Sequence, residues 1–506
     1  MLKNIRFKGK KLDFAYISFS TILCTMITFL YNLLTKRVVE PTEYGIYSAC
    51  AMVLNYSGYL QFGVLNSYNR DYPQLLGAGE TENAKHMKNV VFTYFIIVYS
   101  VAGAILCFVV LPLWLTGCFN TMMAVGLFII AGLGLMSTAF SFFDITVRME
   151  SQFGYSAIVN IVKALVLLST GLMAVYLLRS PQNTQYYGIY VGAVVSHVVA
   201  LLMYIKTIAS MRFEFDSKII GKMILSGLPL LINGFVWTLV SSVDRFVIMF
   251  MMSNWEEKLG FYSTALLGFS TMVLIPHSFT QVFYIKMSHK YGETKSKEVL
   301  LRYAKDYTMI ISFLTSIASV VAYFFLPAFI ETVLPKYGES IESAQIIVIG
   351  VAFYATSMLF SNLMCLLKWN TKLLIFTCSI CVLNILFSVS FVAAFRQGTN
   401  SDINLVGYGT SLSYLVYSLI LIIVLAINMK TSVLQMLKVS WMPVVCTVLP
   451  CIAMDFFDVF GKFEWNSFVV NIVRCVISVS IGMAVVFIFL RKQVRRSTRL
   501  LFGKEE

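Results

Sequence analysis

Fourteen stretches of this sequence stay apolar over the length of a membrane-crossing helix, and that pattern constrains the fold more than any motif does. A span needs about 20 mostly apolar residues. The runs lie at 13–34, 44–66, 89–112, 119–143, 153–178, 186–209, 227–251, 260–285, 307–330, 343–367, 373–395, 405–428, 439–457 and 467–490. A lone apolar segment in lipid must satisfy its own backbone hydrogen bonds, so each run is predicted to be helical. The expected fold class is an all-α integral membrane protein of about 14 transmembrane helices. Composition agrees: 58% of the 506 residues are apolar and 13% charged, where a soluble domain carries about 45–50% and about 25%. The 41 Phe and 27 Tyr exclude a disordered chain. The thirteenth run is the weakest, since it is short and carries Pro443, Pro450 and Asp455.

Lysine and arginine set the expected orientation. With the N-terminus inside, inner loops and helix ends hold 29 of the 39 basic residues and outer loops hold 7. That asymmetry predicts cytoplasmic termini. Five of the six tryptophans (Trp114, Trp255, Trp369, Trp441 and Trp465) fall at span ends, where indole prefers the interface. The net charge of +14 is explained by inner-face lysines meeting anionic headgroups, without a nucleic-acid partner. The basic start followed by an apolar run reads as an uncleaved first helix rather than a signal peptide, because the run is long and ends in Thr35-Lys36-Arg37. The ten cysteines lie mostly within spans, so no disulfide framework is expected, and Cys378 and Cys381 read as packing residues.

Outer loops are short on this reading, and the longer inner loops are 67–88, 210–226 and 286–306. An enzyme working on the outer face would need acids or bases on an ordered loop there. No P-loop, HExxH or GxSxG signature is present, so the chain reads as a non-enzyme that calls for no cofactor and no metal.

An internal repeat is visible. Gly45-Ile46-Tyr47-Ser48 matches Gly260-Phe261-Tyr262-Ser263, and Gly79-Glu80-Thr81 matches Gly292-Glu293-Thr294. Gly188-Ile189-Tyr190 against Gly407-Tyr408 is a softer third pair, and the three offsets are 215, 213 and 219 residues. Spans one to six would then match seven to twelve in the same orientation. This predicts two pseudo-symmetric six-helix lobes, 1–209 and 210–428, followed by 429–506 with spans thirteen, fourteen and a basic tail.

These residues also carry a family resemblance. Glu40-Pro41-Thr42-Glu43-Tyr44-Gly45-Ile46-Tyr47, running on to Phe62-Gly63-Val64, resembles the first outer loop and second helix of polysaccharide-export flippases. So do Gly227-Leu228-Pro229-Leu230, Val243-Asp244-Arg245-Phe246-Val247-Ile248 and Leu259-Gly260-Phe261-Tyr262-Ser263. Those flippases belong to the multidrug/oligosaccharidyl-lipid/polysaccharide exporter superfamily. The resemblance implies translocation of an undecaprenyl-pyrophosphate-linked oligosaccharide across a bacterial cytoplasmic (inner) membrane by alternating access, for O-antigen or lipopolysaccharide-type surface polysaccharide. It implies a lipid-linked oligosaccharide and membrane lipid as partners, with a polysaccharide polymerase and glycosyltransferases as further ones. The rivals are a multidrug/cation antiporter of the same superfamily, a lipid II flippase, and a scaffold for glycosyltransferases.

Polar residues within the spans recur at helical phase. Span two carries Asn55, Tyr59, Asn66 and Arg70; span five carries Ser156, Asn160, Lys163 and Thr170; span seven carries Asn233, Trp237, Ser241, Asp244 and Arg245; span eight carries His277 and Gln281 behind Pro276. Small polar residues also glue helices together, so packing competes with function for each Ser, Thr or Asn. Buried charges are costlier and face a cavity or a partner. Lys163, Arg245, Arg70 and Arg474 make the intramembrane charge basic, which suits pyrophosphate. With Asn55, Tyr59, Asn233, Trp237 and Gln281 they form the expected substrate-binding set, around a basic central cavity. Asp244 and His277 are the expected ion-coupling residues. His197 reads as a packed histidine.

Overall fold

Hydropathy marks where a helix can sit in lipid, not where it must stop, and the architecture turns on that distinction. The computed structural model describes residues 10–178, 185–459, 467–491, 493, 494 and 496. Of the basic residues counted above, Lys3, Arg6, Lys8, Arg179, Lys462, Lys492, Arg495, Arg499 and Lys504 lie outside these, as does Trp465.

The described residues form eighteen α-helices and no strand. In the first part of the chain these are α1 (Lys10–Val38), α2 (Pro41–Ser57), α3 (Val64–Gly77), α4 (Thr81–Leu115), α5 (Thr121–Met149), α6 (Phe153–Leu177), α7 (Tyr187–Met203), α8 (Ile205–Ala209) and α9 (Ser217–Val240). There follow α10 (Val243–Met251), α11 (Trp255–Thr294), α12 (Lys297–Val333), α13 (Ile341–Leu366), α14 (Asn370–Phe395), α15 (Asp402–Asn428), α16 (Val433–Ser440), α17 (Met442–Phe456) and α18 (Ser467–Phe489).

All fourteen predicted runs are helical and occur in order. Ten are long and apolar enough to cross a membrane unbroken, and twelve if the bent pairs within α9 and across α16–α17 each count as one span. Run six misses that test because the apolar α7 stops at 17 residues, and run two because α2 is equally short and more polar. The expected inner loops 67–88 and 286–306 are largely helix. Val64, Tyr68 and Tyr72 give α3 a buried stripe at helical spacing. Residues 286–291 hold no glycine or proline as α11 leaves its apolar part, and the helix passes Gly292 to reach 40 residues, about 60 Å at helical rise. Local signals set several ends: Asn120 Oδ1 accepts from the Met123 amide at 2.8 Å to start α5, and Pro41 opens α2.

The chain divides into two compact units, Met1–Thr238 and Leu239–Glu506. That boundary falls inside predicted span seven, rather than before it at residue 210, and α16–α18 lie within the second unit. The reason is local. Gly63 adopts φ +84, which ends the α2–α3 break, and a Cβ there would lie 2.4 Å from the Gly227 carbonyl carbon; one on Gly227 would lie 2.0 Å from Gly63 O. Two glycines thus bring α3 and α9 into backbone contact. Ser67 Oγ donates to Met223 O at 2.7 Å and meets Ser226 Oγ at 2.8 Å, fixing the crossing.

The linker before α9 is clamped in the same unit. The amides of Arg212 and Glu214 donate to Asn89 Oδ1 (3.2 Å) and Thr93 Oγ1 (3.0 Å) on α4. His86 Nδ1 lies 2.5 Å from Glu214 Oε2, and His86 Nε2 lies 3.8 Å from Asp216 Oδ2. Hydrogen bonds from His86 and Asn89 hold the Glu214 carboxyl below its ordinary value. The Ile219 amide, and with it that of Lys218, does the same for Asp216 at the start of α9.

Each unit has its own core, rich in rings. Tyr68, Phe95, Phe142, Phe143 and Tyr204 cluster in the first. Phe283 stacks on Tyr307 at 4.1 Å in the second, beside Leu359, Phe360 and Leu421. Lipid tails are as apolar as leucine, so such packing stabilises by contact and shape rather than by escape from water.

Candidate functional site

In the second unit, the helix breaks at Ser241–Ser242 and restarts as α10, with Asp244 in its first turn. The side chain is buried, with 3% of the residue exposed. Tyr262 Oη donates to Oδ2 at 2.5 Å from α11. Thr410 Oγ1 on α15 donates to Oδ1 at 2.6 Å, and Asn384 Nδ2 on α14 donates to the same oxygen at 3.1 Å. Ser388, one turn along α14, donates to Asn384 Oδ1 at 3.0 Å and orients that amide. Four helices therefore converge on one carboxylate, and its three direct donors are neutral. Arg245 points round the helix, with Nη2 3.4 Å from Ser241 O, while its field still reaches Asp244. A carboxylate so placed holds its charge at a cost unless a cation compensates it.

The first unit contains a related cluster. Asp144 on α5 accepts at Oδ1 from Ser156 Oγ (2.6 Å), Asn160 Nδ2 (2.9 Å) and Tyr204 Oη (2.9 Å). Its Oδ2 lies 2.9 Å from Arg148 Nη2, one turn along the same helix. Lys163 lies one turn beyond Asn160 on α6. Its ammonium stands 3.8 Å from the centroid of the Phe140 ring, an attraction to the negative face of the ring. Among the described residues it has no hydrogen bond or ion pair. His197 packs edge-on to Phe140 and its Nδ1 lies 2.8 Å from Ala193 O, the packed state expected for it.

The remaining candidates disperse. Arg70 is bound by its neighbour Asp71 at 2.6 Å, with Ser226 at 3.2 Å, on an exposed face of α3. Asn55 is exposed on α2. Tyr59 donates to Gly234 O at 2.9 Å and also meets Thr238 Oγ1, which packs the α2–α3 break against α9. Trp237 is exposed on α9, and the side chain of Asn233 lies outside those described. His277 and Gln281 are exposed on α11 and meet at 3.4 Å. Arg474 is corrected: it pairs with Asp458 at 2.6 Å and Asp455 at 3.7 Å and donates to Val459 O at 2.8 Å, so its charge is matched within α17–α18. Lys163 belongs to the first unit and Arg245 to the second, and each has its own surroundings.

Sequence reasoning missed Asn384, Thr410 and Tyr262 around Asp244, and Phe140 and Tyr204 around Lys163 and Asp144. Tyr262 lies in the repeated Gly-Phe-Tyr-Ser motif, and the i, i+4 pair Asn384–Ser388 was a readable polar step in an apolar run. Thr410 and Tyr204 had no such signal.

Residues 33–336, more than half of the chain, match the family model described as polysaccharide biosynthesis protein. No curated protein matches the sequence. Among solved structures the fold is similar to the lipid II flippase MurJ in an inward closed conformation, with TM-score 0.71 and 15% identity over 94% of this chain and 99% of that one. It is also similar to an inward-facing multidrug resistance MATE family transporter of the MOP superfamily, with TM-score 0.65 and 14% identity over 81% of this chain and 98% of the other. A third is the MATE transporter VcmN of Vibrio cholerae, at TM-score 0.58 and 12% identity over 84% and 98%.

Proposed function

The chain belongs to the polysaccharide biosynthesis protein family, and on that premise we propose that it flips an undecaprenyl-pyrophosphate-linked oligosaccharide from the inner to the outer leaflet of a bacterial cytoplasmic membrane. Its termini are cytoplasmic in this reading. Lys163 contacts the pyrophosphate, and Asp244 takes up a monovalent cation, H⁺ or Na⁺, that drives the cycle. The observation that carries the reading is Lys163: its ammonium lies over the Phe140 ring and, among the described residues, has no hydrogen bond or ion pair. An anion with several acceptor oxygens supplies what that group lacks. Deleting the gene should accumulate prenyl-linked glycans at the inner leaflet, detected by mass analysis. Wild type should clear them, and Lys163→Ala should not, at equal membrane abundance. Full clearance by Lys163→Ala would overturn the reading.

Two other cargoes suit the same fold. In a multidrug/cation antiporter Asp244 would bind the cargo itself, and deletion would leave glycan pools unchanged. In a lipid II flippase the accumulating species would be the cell-wall precursor.

A further inference from the structure

Facing stripes of α5 and α6 set two cations against one carboxylate. Phe140, Asp144 and Arg148 recur every four residues on α5, and Ser156, Asn160 and Lys163 share a face of α6. The pairing is antiparallel: Ser156 and Asn160 reach Asp144, and Lys163 reaches Phe140. Lys163 lies about 4.5 Å along the axis from Asn160, and its ammonium feels the Asp144 carboxylate at longer range. The other titratable groups near it are Cys24 on α1 and His197 on α7. Asp144 is already engaged, with three neutral donors on Oδ1 and the guanidinium on Oδ2.

An opposite charge within a helical turn, in an apolar setting, normally captures an ammonium. Here it does not, and Arg148 already occupies that carboxylate. We propose that Arg148 is a positioning residue: by occupying Asp144 it keeps Lys163 from pairing with that carboxylate and leaves the ammonium available to a phosphate or pyrophosphate ester. The ligand half of this inference rests on the reading of Lys163 as the anion contact; the charge competition does not.

The test uses the full chain purified in a phospholipid-free detergent. Acetic anhydride labels amines, and the rate at Lys163 is read by mass spectrometry of its peptide. Wild type and Arg148→Lys label alike. Arg148→Gln labels about tenfold more slowly, because Lys163 moves onto the vacated carboxylate. Asp144→Asn/Arg148→Gln returns to the wild-type rate. Equal rates in wild type and Arg148→Gln overturn the proposal, and so does a double variant that stays slow. A merely structural arginine would lower thermal stability without changing the rate at Lys163, which also counts against it. Should Arg148→Gln not accumulate, Asp144→Asn is compared with the double variant; residue 148 no longer matters there, and a difference overturns the proposal.

Ligand protection separates the two readings. Farnesyl pyrophosphate should slow labelling of wild-type Lys163 and fail to do so in Arg148→Gln. Protection by phosphatidylglycerol instead assigns the site to membrane headgroups, with Arg148's role supported. Protection by neither, with the labelling pattern intact, overturns the anion contact and leaves the charge competition supported.

Discussion

Asp144 in the first unit and Asp244 in the second collect nearly the same donors, and differ in how their charge is met. Each takes an asparagine amide, a serine or threonine hydroxyl and a tyrosine phenol. Asp144 adds the guanidinium of Arg148 from its own helix, so its charge is balanced on the spot and the cluster acts as a strut between α5, α6 and α7. The three donors on Asp244 are neutral, and the neighbouring Arg245 acts on it through its field. Similar hydrogen bonds thus surround both carboxylates, and the direct ion pair with Arg148 is what distinguishes Asp144.

The comparison breaks or sharpens under substitution. Asp244→Asn keeps one acceptor oxygen for Thr410 and Asn384, leaves Tyr262 to accept from the new amide, and removes the exchangeable charge. Cation-dependent flipping in proteoliposomes should fall about 10–100-fold, the worth of one charge-assisted interaction. Asp144→Asn should leave the cation dependence intact and lower the thermal midpoint, since Arg148 loses its partner. If the two variants behave alike, the distinction between strut and switch fails.

A second difference concerns helix continuity. Predicted run two is broken between α2 and α3, whereas its repeat counterpart lies in the uninterrupted α11. The break lets Gly63 meet Gly227. Gly227→Val should therefore cost about 1–3 kcal/mol through overpacking, read as a lower thermal midpoint, while Gly268→Val on α11, where a Cβ meets nothing within 4 Å, should change little. Equal losses would show that the contact is not what holds α9 to the first unit.

The clamp on the linker before α9 predicts an acid effect. Glu214 and Asp216 are held below their ordinary values of 4.5 and 3.8. Their stabilisation is therefore present above those values and is lost as pH falls through the depressed ones. Exchange of the Arg212 and Glu214 amides, corrected for its intrinsic rate, should speed up in that window. Glu214→Gln should flatten most of the response, and an unchanged profile would remove Glu214 from the account. The smallest effect belongs to Asp458→Asn. Asp458 is 71% exposed, so its bond to Arg474 should contribute no more than about 1 kcal/mol, and a thermal midpoint within two degrees of wild type is expected.

Much of the helical framework was legible because burying backbone in lipid leaves few alternatives, and twenty apolar residues in a row state that condition locally. The breaks were not. Gly58 to Gly63 and Ser241–Ser242 lie inside apolar runs, and nothing nearby in sequence says that Gly227 waits opposite Gly63. The helical extension of α11 was hidden for the converse reason: Lys286 and Lys290 look like loop residues, yet they continue a helix well.

Lys163 and Asp244 stood out as charges among apolar neighbours. Arg474 stood out equally, and was misread because Asp455 and Asp458 lie beyond the preceding turn, at distances along the chain that helical phase does not reach. Their pairing closes between α17 and α18 in space.

Sequence alone determined that the chain is a multi-pass helical membrane protein and which side chains carry charge into its apolar segments, since both follow from the cost of exposing polar groups to hydrocarbon. Only the tertiary structure decided which of those charges are matched. Partnership depends on atoms brought within about 3 Å from helices far apart in the chain, and no local property of a residue encodes that distance.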